Sequence, residues 1–232
     1  MIEAVAVAVP ARDEEELVGR CLESLGVAID AARLRHPHLG ISVVLAADAC
    51  TDATVEIAHR FDFVQAVQVG FQNVGAARAA AIEHALPPLL PLDRIWIACT
   101  DADSIVPPHW LLGQLEDADA GSELLVGTVR PILDELDEAQ AAEWLRSHER
   151  GRPNGHVHGA NLGVRADRYL AVGGFGPMAE HEDNDLVDRL RAAGVDALAT
   201  DRYEVQTSGR LIGRTPGGYA GFLRELARRS VA

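Results

Sequence analysis

Over the first half of the chain, four short apolar runs (Ala4–Val9, Ile41–Leu45, Val64–Val69 and Ile95–Cys99) alternate with segments of helical character. Runs of that length without polar alternation read as strands buried on both faces. Strands separated by helices pair in parallel, so the implied architecture is an α/β fold with a mostly parallel central sheet and helices on both faces. Such a sheet binds ligands at the carboxyl ends of its strands. The first helix is expected to begin at Asp13, with Glu16 completing a capping box and Leu17, Cys21, Leu25 and Ile29 forming its apolar stripe. Helices over Ala53–Arg60 and Ala76–Ala85 follow the second and third strands.

The second half is less regular. Leu124–Val129 reads as a strand and Glu138–Arg150 as a helix, followed by the loop GRPNGHVHGANLG. Short helices around Val172 and Leu186, a strand near Ala197 and an amphipathic helix Tyr219–Arg228 complete the chain. That last helix is expected to pack on its own domain; peripheral contact with a membrane or a partner is the other use of such a stripe. With no repeat and no long linker, residues 1–232 read as one domain, a nucleotide half over about 1–130 and a partner half over about 131–232.

Charge narrows the function. Acidic residues outnumber basic ones 35 to 21, a formal charge of −14, which argues against nucleic acid as a partner. Every basic residue is arginine, and the absence of lysine excludes a P-loop, a Schiff-base or a kinase-type lysine. Cys21, Cys50 and Cys99 show no CxxC spacing and read as reduced thiols of a cytoplasmic protein. No signal-peptide pattern and no apolar run of roughly 18 residues is present.

Candidate chemistry lies at the predicted strand ends. Asp101 and Asp103 form an Asp-x-Asp directly after the fourth strand, where alternate side chains of extended chain point the same way. Two hard oxygen donors there suit Mg²⁺ or Mn²⁺ bridging a diphosphate; capping the turn before Pro107 and Pro108 is the structural alternative. Asp48 follows the second strand as an acceptor for a base N–H or a ribose hydroxyl, or as a turn residue. Arg78 follows a Gly70–Gly75 loop as a phosphate partner, or as a solvated helix charge. The acidic stretch Glu180–Asp185 either supplies a general base or only complements a helix N-terminus, with the segment Gly173–Gly176 before it read as flexible. His156 and His158 have metal-like spacing without a completing ligand, so His158 and Asn161 are expected to line a substrate loop. Cys50 sits at a strand end with no assigned role.

In order, the segments VAVPARDEEE, LAADACTDAT, NVGAARAAA, TDADSIVPPHWL, GANLGVRADRYLAVGGF and EDNDLVDRL resemble the family 2 glycosyltransferases of GT-A fold, from about Val5 to Arg210. The resemblance implies metal-dependent, inverting transfer of a sugar from a nucleoside diphosphate sugar to an acceptor hydroxyl. UDP-sugars are the first expectation and GDP-sugars the second. It places Pro10, Arg12, Glu14, Asp48, Arg78 and Asp101 against the donor, Asp103 on the metal and Asp183 as general base, with residues 131–232 forming the acceptor half. Glu182 is given a positional or structural duty beside the base, and Arg210 lies where it would reach the diphosphate. The usual Asp-Asp-x-Ser is here Ala47-Asp48-Ala49-Cys50, and the Gln-x-x-Arg-Trp of processive synthases is absent. Competing readings are a non-catalytic nucleotide-sugar-binding module and a sugar nucleotidyltransferase. The acidic PARDEEE does not match the Gly-rich, basic loop of the latter, and a dehydrogenase GxGxxG is missing there too.

Overall fold

A computed structural model describes residues 1–149, 151, 153, 155–213 and 217–230, with only the backbone described for 227–230. In chain order it contains β1 (Ala4–Ala11), α1 (Val18–Arg35), β2 (Gly40–Asp48), α2 (Thr54–Ala58), β3 (Val64–Val69), α3 (Val74–Ala85), β4 (Ile95–Cys99) and β5 (Ser104–Ile105). There follow α4 (Trp110–Asp119), β6 (Leu124–Pro131), α5 (Glu138–Ser147), β7 (Leu162–Arg165), α6 (Ala166–Ala171), α7 (Glu182–Ala192), β8 (Ala197–Thr207) and α8 (Tyr219–Ser230). The strands form one sheet in the order β3-β2-β1-β4-β7-β6-β8-β5, in which β7 and β5 run antiparallel to their neighbours.

Period-two alternation along β1 explains both faces of this sheet. Val5, Val7 and Val9 point to one side, where Cys21, Leu22, Leu25 and Ile29 of α1 and Trp110, Leu111 and Leu115 of α4 cover them. Each such fully buried aliphatic contributes roughly 1.5–3 kcal/mol. Ala4, Ala6 and Ala8 point to the other side, under Ala77, Ala81 and Ile82 of α3 and Leu186, Val187 and Leu190 of α7. Alanine facing alanine leaves no bulk between α3 and the sheet, which brings the helix and its Arg78 close to the strand ends.

Several boundaries differ from the sequence-based expectation. Asp13 does not cap α1, whose first residue is Val18 and whose N-cap, Leu17, has no side-chain cap. Asp13 instead adopts a left-handed φ of 49° and accepts a hydrogen bond from the Thr51 N–H at 2.6 Å. Glu15 accepts from the Ala53 N–H at 2.9 Å, so the acids after β1 knit it to the loop after β2. α4 and the four-residue β7 were not foreseen from the sequence. Gly173 and Gly174 both take positive φ and turn Phe175 into the core, where it is 6% exposed. Arg150, the predicted end of α5, lies outside the described residues, as do Arg152 and Asn154 of the following loop.

Candidate active site

The carboxyl ends of β1, β2 and β4 open into a first chamber with a cavity volume of about 230 Å³. Pro10, Arg12 and Glu14 enter it from the end of β1, Asp48 from β2, Asp101 and Asp103 from the turn after β4, and Arg210 from the segment after β8. Arg210 binds Glu14 through both terminal guanidinium nitrogens, at 2.8 and 2.7 Å, and its Nη2 reaches Asp103 Oδ2 at 2.8 Å. Thr207 Oγ1 donates to Asp103 Oδ1 at 3.1 Å. Burial pushes the Asp103 carboxyl up to about 6 against the pull of Arg210, and the nearby carboxylates of Asp101 and Glu14 add to the rise. Among the described residues four carboxylates share this chamber with two guanidiniums, and that excess of hard oxygen donors is chemistry a divalent cation fits.

Outside the cavity, Glu135 fixes the turn that carries Arg210. It pairs with Arg20 at 2.6 Å and accepts from Ser208 Oγ at 3.1 Å and the Gly209 N–H at 2.8 Å. Nothing in the sequence signalled this contact between residues so far apart. Asp48 accepts from the Gln72 and Asn73 N–H groups at 2.8 and 2.7 Å, holding the loop that leads into α3. Its oxygens keep further lone pairs for a ligand.

Beside this chamber, Asp13, Cys50 and Asp52 bring metal-type ligand atoms within 4.8 Å of one another. Their polar atoms already serve the loops: Asp13 takes the Thr51 N–H, Asp52 takes the Glu15 and Thr54 N–H groups, and the Cys50 thiol accepts from the Asp13 N–H. Burial raises the Cys50 thiol above its ordinary range, which keeps it a thiol and not a nucleophilic thiolate.

A second chamber of about 600 Å³ adjoins the first, sharing Val74, Asp101, Thr207 and Tyr219 as common wall. Arg78, His158, Glu182 and Asp183 line it. Arg78 lines this second chamber and not the first. It is 2% exposed, and its guanidinium is held by Asp101 at 3.0 Å, Glu182 at 2.9 Å and the Gly159 carbonyl at 3.3 Å, over the Phe175 ring at 5.5 Å. The Gly159 N–H in turn donates to Asp183 Oδ2 at 2.8 Å, and the Asn184 N–H donates to Asp183 Oδ1 at 2.8 Å. The backbone of one residue, Gly159, thus touches both the buried arginine, through its carbonyl, and the Asp183 carboxylate, through its N–H. A side chain at position 159 would sit 2.5 Å from Arg78 Nη2, so any residue but glycine there displaces the buried guanidinium. Glu182 is 5% exposed and acts as the counter-ion of Arg78.

Asn161 corrects another expectation. It lines neither chamber and is fully buried, accepting from Trp110 Nε1 at 2.9 Å and donating to the Thr128 and Tyr203 carbonyls at 2.9 and 3.2 Å. It stitches α4, β6 and β8 together beneath the site.

The chain matches the model for glycosyl transferase family 2 over residues 6–167, which is most of its length, and it belongs to that family. No curated protein matches it by sequence. Among solved structures it is similar to the mannosyltransferase PcManGT from Pyrobaculum calidifontis, in complex with GDP-Man and Mn²⁺. That match has a TM-score of 0.65 and 18% identity, covering 99% of this chain and 61% of that one. It is also similar to residues 1–349 of S. aureus TarS in complex with UDP, with a TM-score of 0.63, 14% identity and coverage of 99% and 65%. Glucosyl-3-phosphoglycerate synthase from Mycobacterium tuberculosis, in complex with phosphoglyceric acid, matches with a TM-score of 0.56, 17% identity and coverage of 99% and 78%. The chain spans less than two thirds of the PcManGT and TarS structures. The shared architecture is the GT-A fold. No helix among the described residues is long and apolar enough to cross a membrane.

Proposed function

We propose that the chain is an inverting glycosyltransferase, with a nucleoside diphosphate sugar in the first chamber and an acceptor hydroxyl in the second. One observation carries this reading: the acidic turn after β4 and the Asp183 carboxylate belong to adjoining cavities with a common wall at Asp101. Base and leaving group then approach the reacting carbon from different cavities, as displacement with inversion requires. Pro10, Arg12, Glu14 and Asp48 line the space for the nucleoside, and a uridine donor is favoured over a guanosine one. Asp103 would hold Mg²⁺ or Mn²⁺, with Asp101 beside it. When bound, such an ion neutralises charge on the departing diphosphate.

Asp183 takes the proton from the acceptor hydroxyl as its oxygen bonds to the anomeric carbon. The bond from that carbon to the diphosphate oxygen breaks, and the nucleoside diphosphate leaves with the electron pair. Arg210, which lines the first chamber, would be the cation facing the leaving oxygens.

Calorimetry of UDP and GDP binding, with Mn²⁺ and with EDTA, tests the donor side. Affinity is expected to drop at least about tenfold in EDTA and in Asp103→Ala, since several carboxylates face the diphosphate without the cation. Equal affinity under both conditions rules the metal role out. Absence of nucleoside diphosphate release from any UDP- or GDP-sugar, in a protein that binds the nucleotide, favours a binding module instead.

A further inference from the structure

We infer that the second chamber takes a neutral saccharide, one or more hydroxylated rings without phosphate, as the acceptor; this rests on the transferase reading above. Along the chamber runs a continuous strip of rings. His148 stacks on Trp144 with centroids 4.1 Å apart and planes 6° from parallel. From His148 the strip continues to Phe222 at 6.3 Å, Tyr219 at 5.8 Å, His158 at 5.6 Å and His156 at 6.2 Å. All but Trp144 line the cavity. Much of the polar lining is acidic, from Asp101, Glu180, Glu182 and Asp183.

Those two kinds of lining select for one chemistry. Aromatic faces carry the negative lobe of a quadrupole and favour the C–H-bearing face of a saturated ring. Carboxylates only accept hydrogen bonds, so they favour a ligand edge rich in hydroxyl donors. A pyranose presents both surfaces at once. A phosphate presents acceptors and negative charge, and among the described lining residues it meets four carboxylates against two guanidiniums, of which Arg78 is already shared between Asp101 and Glu182. The cation proposed for the first chamber is committed to the donor diphosphate. A volume of about 600 Å³ holds a ligand of more than one ring.

The test is saturation-transfer NMR on the full chain with UDP and Mn²⁺ present. The probes are a panel of methyl glycosides and short oligosaccharides set against hexose 6-phosphates and 3-phosphoglycerate. A neutral saccharide is expected to bind with saturation strongest on ring C–H protons, and His156→Ala and Phe222→Leu are each expected to weaken it roughly 3–10-fold. His156 is exposed, so its variant separates lost binding from lost folding. Tighter binding of the phosphorylated probes, no binding by any neutral saccharide, or no effect of either variant overturns the inference. UDP binding followed in the same samples distinguishes the two readings. UDP bound with only phosphorylated acceptors retained overturns the acceptor class alone, whereas saccharide bound without UDP overturns the transferase reading.

Discussion

Two adjacent acids at the start of α7 have opposite surroundings, and under the proposed mechanism that difference gives them different duties. Glu182 is buried against Arg78, whereas Asp183 faces the second chamber with its oxygens oriented by two backbone N–H groups. Asp183→Asn is expected to keep the melting temperature and donor binding while turnover falls by about 10²–10⁴-fold, the usual weight of a general base. Glu182→Gln leaves a buried guanidinium short of one counter-ion and is expected to lower stability by roughly 3–5 kcal/mol. Thermal melts and single-turnover rates on both variants separate these outcomes; a stable Glu182→Gln that loses turnover while Asp183→Asn keeps it reverses the assignment. His158, in the same chamber, titrates in a direction that can be checked. Burial lowers it to about 4, although Asp183 pulls the other way. The unfolded chain protonates this ring near the ordinary value of about 6.5, so between the two values the unfolded state binds more protons. Stability from this group is therefore present above about 6.5 and is lost as pH falls toward 4. Wild type should lose more melting temperature between about pH 7 and pH 5 than His158→Asn does, and equal losses would show that His158 is not held neutral.

At the scale of elements, the seat of α3 decides where the site residues meet. Gly75 donates its N–H to the Met178 carbonyl at 3.1 Å, and a Cβ there would lie 2.2 Å from the Gly176 carbonyl oxygen. Helix and loop cannot keep that approach with any side chain at 75. Gly75→Ala is expected to cost about 1–3 kcal/mol, seen as several degrees of melting temperature. Gly70→Ala, with nothing within 4 Å, is the matched control and should melt near wild type. If both variants melt alike, the α3 contact does not seat the helix. The α5–α8 pair has its own small core of Trp144, Leu223 and Leu226, and it carries much of the ring strip beside the second chamber.

For the whole molecule, a formal charge of −14 sets the long-range field that an anionic donor meets. Salt screens that repulsion, so the association rate of a Mn²⁺–nucleotide complex is expected to rise with ionic strength. Stopped-flow rates across a salt series decide it. A rate that falls with salt would show that the cleft's local field is attractive despite the net charge.

What the sequence determined by itself is the part governed by local periodicity. The buried runs of β1 and β4, the helix between β2 and β3, and the acids at the strand ends follow from side-chain spacing along a few residues, and they suffice for a mostly parallel sheet with its candidate site at the carboxyl ends of the strands. The motif order carried the family for the same reason. What only the tertiary structure decided is pairing across the chain. β7 is four residues inside a glycine-rich loop, too short to show a period, and it is a strand because β4 and β6 supply its hydrogen bonds. Asn161 and Arg78 look from their neighbours like loop and helix polar groups. Their partners lie 33, 42 and 51 residues away for Asn161, and 23, 81 and 104 for Arg78. A buried polar group takes its role from whatever satisfies it, and chain spacing does not encode who that partner is.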